Sequence, residues 1–210
     1  MAPAHDDPVV REPPREGCHR VLRRFGRDAG GATAIEMAIV LVPFLAILLS
    51  TIETAIVFWA QMSLQQAVAD TTREIYTGNF QTANANLSKA SDLLDAFRKK
   101  LCQENGQPRK LIFNCANVKL NISTVDAFSN VAPLSPVTSG SGIRDWNPNF
   151  GIGYACGRGN AIVLVQAAVD FPVFSTLLNP GTVTLPGGRR VLQAASVFRV
   201  EPYDSTKVCS

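Results

Sequence analysis

The chain has 210 residues, 46% of them hydrophobic, and a formal net charge of +3. So small a charge, with no basic stripe interleaved with aromatics, gives no electrostatic footprint for nucleic acid. Both histidines, His5 and His19, precede a long apolar segment. The rest of the chain therefore lacks an imidazole for acid–base, Ser-His or Cys-His chemistry. No Walker loop, H-E-x-x-H or G-x-S-x-G motif occurs. Asp92, Asp95, Asp126, Asp145, Asp170 and Glu201 supply carboxylates, but no spacing singles out a pair. The expectation is a chain that is not an enzyme, with no catalytic residue, metal or cofactor.

Residues 1–31 are rich in Pro, Arg and acidic side chains and show almost no apolar pattern before Val21. They read as a disordered cytoplasmic leader. From Ala34 to Ala60 the chain is mainly Ala, Ile, Leu, Val and Phe. A helix of about 20 such residues spans a bilayer core, so a transmembrane helix is expected over 32–60. Arg20, Arg23, Arg24 and Arg27 precede it, and the next charges after the run are Asp70, Arg73 and Glu74. That asymmetry places the N-terminus in the cytoplasm and the C-terminal domain outside. Phe58 and Trp59 sit where an interfacial aromatic anchor belongs. A secretory signal is the competing reading, but the site near Ser50-Thr51-Ile52 is poor and the apolar run resumes at Ala55.

Two carboxylates interrupt the segment. A charge at the centre of a membrane helix costs about 2.5–3.5 kcal/mol on insertion scales. Glu53 lies near the outer end, where it is expected to face headgroups, with a contact between helices through the Ser50, Thr51 and Thr54 patch as the other option. Glu36 is placed in the first turn, where a carboxylate complements the helix dipole. A cut between Gly31 and Ala32 would free an amine four positions before Glu36, one helical turn away. Pro43 lies inside the helix and should loosen the turn that includes Ile39. Other helices can help satisfy the freed carbonyl.

The helix is expected to continue as a stem over 61–77. Met62, Leu64, Ala67, Val68 and Ile75 would form its apolar face, with Gly78-Asn79 as the stop. Residues 78–210 would form one domain. A second helix is expected from Asn86 to Leu101, capped by Asn86 or Ser88, with Arg98-Lys99-Lys100 at its C-terminal end. Lys110–Cys115 and Val118–Val125 form a candidate strand pair, the latter with Val118, Leu120, Ile122 and Thr124 on one side. Further strands are expected over Ala161–Phe171 and Val191–Val200. Ser129–Tyr154 reads as a long loop, and Leu185-Pro186-Gly187-Gly188 as a turn. The glycines of Gly151 to Gly157 only imitate a nucleotide loop and are assigned to a loop. The fold class is α+β: a long N-terminal transmembrane and stem helix, then a small extracytoplasmic domain with a second helix and an antiparallel sheet.

Cys18 lies before the apolar segment, and Cys102, Cys115, Cys156 and Cys209 lie after it. An even set suits an oxidising compartment and allows three pairings. Nearest neighbours suggest Cys102–Cys115 and Cys156–Cys209. A four-cysteine zinc site is the alternative, though no C-x2-C pair exists.

The run Phe25-Gly26-Arg27-Asp28-x-Gly30-Gly31-Ala32-x-Ala34-x-Glu36-Met37-Ala38, followed by Pro43, resembles the TadE/TadG-like proteins of tight-adherence (Flp-type) pilus machinery. Thr51-Ile52-Glu53, Gln65 to Arg73 and the tail Ala195-x-Val197-Phe198-Arg199-x-Glu201-Pro202-Tyr203 are similar to the family as well. The resemblance implies a minor pseudopilin in a bacterial inner membrane, with its domain in the periplasm. A prepilin peptidase would cut after Gly31, leaving Ala32 as the mature N-terminus and Glu36 as the fifth mature residue. Implied partners are membrane lipid, that peptidase, and other pilins and assembly proteins packed through the N-terminal helix, Pro43 and Glu53 included. An unprocessed single-pass anchor carrying a binding or scaffold domain is the alternative.

Overall fold

The computed structural model describes residues 32–104, 106–174 and 183–203. The expected leader, Gly31 and Cys209 lie outside them. The chain divides between Ile47 and Leu48 into two compact units.

The first unit contributes the start of helix α1 (Ala32–Tyr76). Glu36 is its fifth residue, so the carboxylate sits just past the first turn and not within it. From Thr33 to Ile47 almost every side chain is exposed, among them Ile35, Ile39, Val42 and Ile47. Water does not tolerate so much contiguous apolar surface, so this stretch calls for lipid or other helices. The helix is long and apolar enough to cross a membrane. It continues through Pro43.

The second unit holds the rest of α1 and the short helix α2 (Asn79–Ala83). Helix α3 (Ala90–Leu101) and a small hairpin of β1 (Gln103–Glu104) and β2 (Gln107–Pro108) follow. Last comes an antiparallel sheet of β3 (Lys119–Val125), β4 (Ile162–Pro172) and β5 (Arg189–Arg199), in spatial order β3-β4-β5. The expected α+β class is present.

One stripe of α1 faces the core of this unit: Glu53, Ala60, Leu64, Ala67, Thr71 and Ile75 are buried. Steps of three, four and seven residues keep them on one side of a helix. Met62 was expected among them but is exposed. It lies two residues from both Ala60 and Leu64, about 200° around the helix, and so faces away. Leu64, Val68 and Ile75 meet Phe80, Phe97 and Leu101 from α2 and α3, and Leu120, Ile122, Val163 and Val165 from the sheet, in one apolar cluster.

Gly78 stops α1 as expected. Its φ of 76° is left-handed, and its N–H donates to the Ile75 carbonyl at 3.1 Å. Asn79 does not share that task but opens α2. Helix α3 starts at Ala90, later than the expected Asn86, because a turn closed by Leu87 N–H to Asn84 O at 2.9 Å occupies the preceding residues. Neither Asn86 nor Ser88 caps it; Lys89 stands at that position without a side-chain bond. The basic triplet does occupy the last turn. Arg98 there also donates to the Val118 carbonyl at 2.9 Å, tying α3 to the start of β3.

The pairing expected between Lys110–Cys115 and Val118–Val125 does not form. β3 pairs with β4, Leu120 opposite Ala167, and β4 pairs with β5, Ala167 opposite Ala194. Residues 115–117 instead make a 3-10 turn whose N-cap Asn114 accepts from Ala116 N–H at 3.0 Å. That local bond competes with extension into a strand. Val118 just before β3 and Leu120 and Ile122 on it are buried as expected, whereas Thr124 near the strand end is exposed.

The continuous apolar run of β4 has a simple cause, since both of its faces are covered. Val163, Val165, Ala167 and Val169 belong to the helix-side core. Gln166 points the other way, buried, and makes two bonds to Leu134 of the long loop: its amide donates to the Leu134 carbonyl at 3.0 Å and accepts from its N–H at 3.1 Å. The expected turn at Leu185–Gly188 is present, with Gly187 and Gly188 at φ 74° and 68°.

The chain closes on the end of α1. Glu201 N–H donates to the Tyr76 carbonyl at 3.0 Å, and Phe198 meets the Tyr76 ring edge-on at 6.2 Å. Tyr203 lies over Gly78, and its hydroxyl donates to the Gly157 carbonyl at 2.6 Å.

Candidate functional site

Ala32 is the first helical residue and Glu36 follows one turn later, exposed. Nothing in the described part of the first unit covers the apolar side chains around Glu36.

Glu53 is 4% exposed and is turned towards the domain. Its Oε1 accepts from Phe174 N–H at 3.2 Å and lies 3.4 Å from Arg190 Nη2. The reason is positional, because Glu53 is the first member of the core-facing stripe of α1. Arg190, opposite Phe171 on β5, supplies the countercharge that makes burial of a carboxylate tolerable. Phe174 and Arg190 carry no local sequence signal for this role, since they lie 121 and 137 residues from Glu53.

Further pairs tie the elements of the domain together. Asp70 on α1 meets Arg109 at 3.0 Å, and Asp170 on β4 meets Arg189 on β5. Of the carboxylates noted in the sequence, Asp95 is engaged with Arg98 on α3 and Asp170 with Arg189 and Asn117. Among the described residues no group of three or more His, Cys, Asp or Glu is placed to hold a metal ion.

Cys102 and Cys115 form a disulfide with their Cα atoms 6.0 Å apart, the nearest-neighbour pairing. That bond removes two thiolates from the alternative four-cysteine zinc site. Cys156 is also disulfide-bonded. Its expected partner, Cys209, lies outside the described residues.

Tyr154 packs near Phe80, with ring centroids 6.4 Å apart. Burial, with a smaller contribution from Tyr203, pushes its phenol up to about 12. Burial raises Tyr203 as well, partly opposed by Arg158. An acid raised in the folded state keeps its proton there after the unfolded chain has lost it. Stability is therefore complete below pH 10 and is lost as pH rises from 10 towards 12. Denaturant titrations of the detergent-solubilised chain should show this decline, and Tyr154→Phe should flatten it. An equally steep decline in Tyr154→Phe would assign it to other groups.

Taken together, the class is a protein with one apolar N-terminal helix fit for a bilayer and one α+β domain built on that helix's second half. Residues 31–73 match the model of the family described as TadE-like protein, so this segment is similar to that family. Neither the curated proteins nor the solved structures contain a match to the chain.

Proposed function

We propose that this chain is a minor pseudopilin that acts in assembly of a tight-adherence pilus. A prepilin peptidase cuts after Gly31, and the N-terminal helix then packs with those of other pilins. The domain lies in the periplasm, on the outer side of the inner membrane, and the chain performs no catalysis of its own. The single observation behind this reading is the family match that begins at Gly31 and runs through a helix starting at Ala32. A new amine on Ala32 stands one turn from Glu36, so the two charges can neutralise each other within one chain or between packed chains. Lipid strengthens the demand for such a partner, because an unpaired charge there is costly.

Glu36→Ala is expected to leave cleavage intact while lowering the number of surface pili, counted by electron microscopy, roughly tenfold. That corresponds to losing a polar contact between membrane helices of about 1–2 kcal/mol. Normal piliation in Glu36→Ala would remove the pairing from the account.

A further inference from the structure

We propose that the β4–β5 end of the domain rests on the bilayer surface, with Phe174 inserted among the lipid headgroups. The inference rests on the reading of α1 as a membrane helix and adds to it where the membrane ends. The apolar run from Ala34 to Ala60 has 27 residues. At 1.5 Å per residue that is about 40 Å, longer than a hydrocarbon core of about 30 Å. Some of it must lie outside the core.

Glu53 identifies the excess. From this residue onwards one side of α1 is covered by the domain, with Glu53 and Ala60 buried and Ile56 and Val57 packed against its core. Protein and lipid do not occupy the same side of the helix at the same depth. The hydrocarbon span therefore ends at Ile52, and 34–52 is about 28 Å of helix, close to the core thickness.

Whatever touches Glu53 then lies at the membrane face. Its Oε1 holds the backbone N–H of Phe174 at 3.2 Å. The Phe174 ring is 68% exposed, although it is a large apolar group beside the end of a lipid-length helix. On α1, Phe58 and Trp59 are exposed just over one turn beyond Glu53. About 10 Å past Ile52 is headgroup territory, where aromatic side chains collect. One belt of aromatics thus draws on both the helix and the sheet. Glu53 and Arg190 fix the sheet end at that level, and their mutual pairing lets both charges sit beside lipid.

Depth-dependent fluorescence quenching tests this on the full chain. A single tryptophan is placed by F174W, by F128W or by L45W in a W59F/W146F background. The proteins are reconstituted in phosphatidylethanolamine–phosphatidylglycerol vesicles containing lipid brominated near the headgroup end of the acyl chains, and L45W also in vesicles with lipid brominated near the chain ends. Phe128 follows β3 at Val125, which pairs with Ile162, so it marks the opposite end of the sheet. Expected is quenching of F174W at least roughly threefold stronger than that of F128W, as an interfacial aromatic requires. Quenching of L45W with F174W no stronger than F128W overturns the seating while leaving the membrane helix in place. Absence of quenching in L45W as well overturns both.

Discussion

Glu53→Ala should destabilise the full-length protein by about 3 kcal/mol, at the lower end of the range for removing one partner of a buried ion pair. The loss has two parts. Arg190, only 15% exposed at its side chain, keeps its charge without the carboxylate that faces it, and Phe174 N–H loses its acceptor. The 3.4 Å separation, long for an ion pair, keeps the estimate at the lower end. Glu53→Gln should cost less, about 1 kcal/mol, since the amide oxygen still accepts from Phe174 while the charge attraction is gone. Glu53→Leu combined with Arg190→Leu should recover most of the loss, because an apolar pair of similar volume often replaces a buried ion pair at little cost. Thermal unfolding of the detergent-solubilised chain checks this. A Glu53→Ala protein as stable as wild type would mean that the contact is not maintained.

Gly78→Ala is the second large effect. At φ 76° an alanine costs about 1–2 kcal/mol for the left-handed backbone alone. Its Cβ would also stand 2.8 Å from the Tyr203 ring. The ring must then move, weakening the 2.6 Å bond from its hydroxyl to the Gly157 carbonyl. The sum is about 2–4 kcal/mol, which corresponds to a fall in Tm on the order of 10 °C for a domain of this size. Tyr203→Ala removes both the clash and the hydroxyl's bond to Gly157, so the double variant Gly78→Ala/Tyr203→Ala should fall short of the sum of the single losses. Strict additivity would place the whole effect in the backbone. The C-terminal tail thereby acquires a structural role: it clasps the end of the N-terminal helix.

Features with a local cause were legible in the sequence. The length of α1, its stop at Gly78, the Cys102–Cys115 pair, the two long strands and the turn at Leu185–Gly188 all follow from periodicity, turn chemistry or nearness in the chain. What escaped is long-range. Lys110–Cys115 has strand-like composition, but the Asn114 cap gives the following residues a turn, and β3 finds its partner 37 to 49 residues later, from Val125 opposite Ile162 to Lys119 opposite Ala168. Met62 is apolar, and only the exact phase of the buried stripe reveals that it faces outwards. Glu53 is the clearest case. A carboxylate in an apolar run reads as a membrane residue until a distant arginine is brought beside it. At the candidate processing segment, the spacing from Ala32 to Glu36 is a property of the sequence, and the helix adds that both lie on its first five residues.

The proposed cut after Gly31 precedes every later step of assembly. Intact mass of the protein extracted from its native membrane tests that most directly. A mature chain that begins at Ala32, with two of its cysteines joined as Cys102–Cys115, is expected. A membrane-extracted protein that still carries residues 1–31 would contradict it.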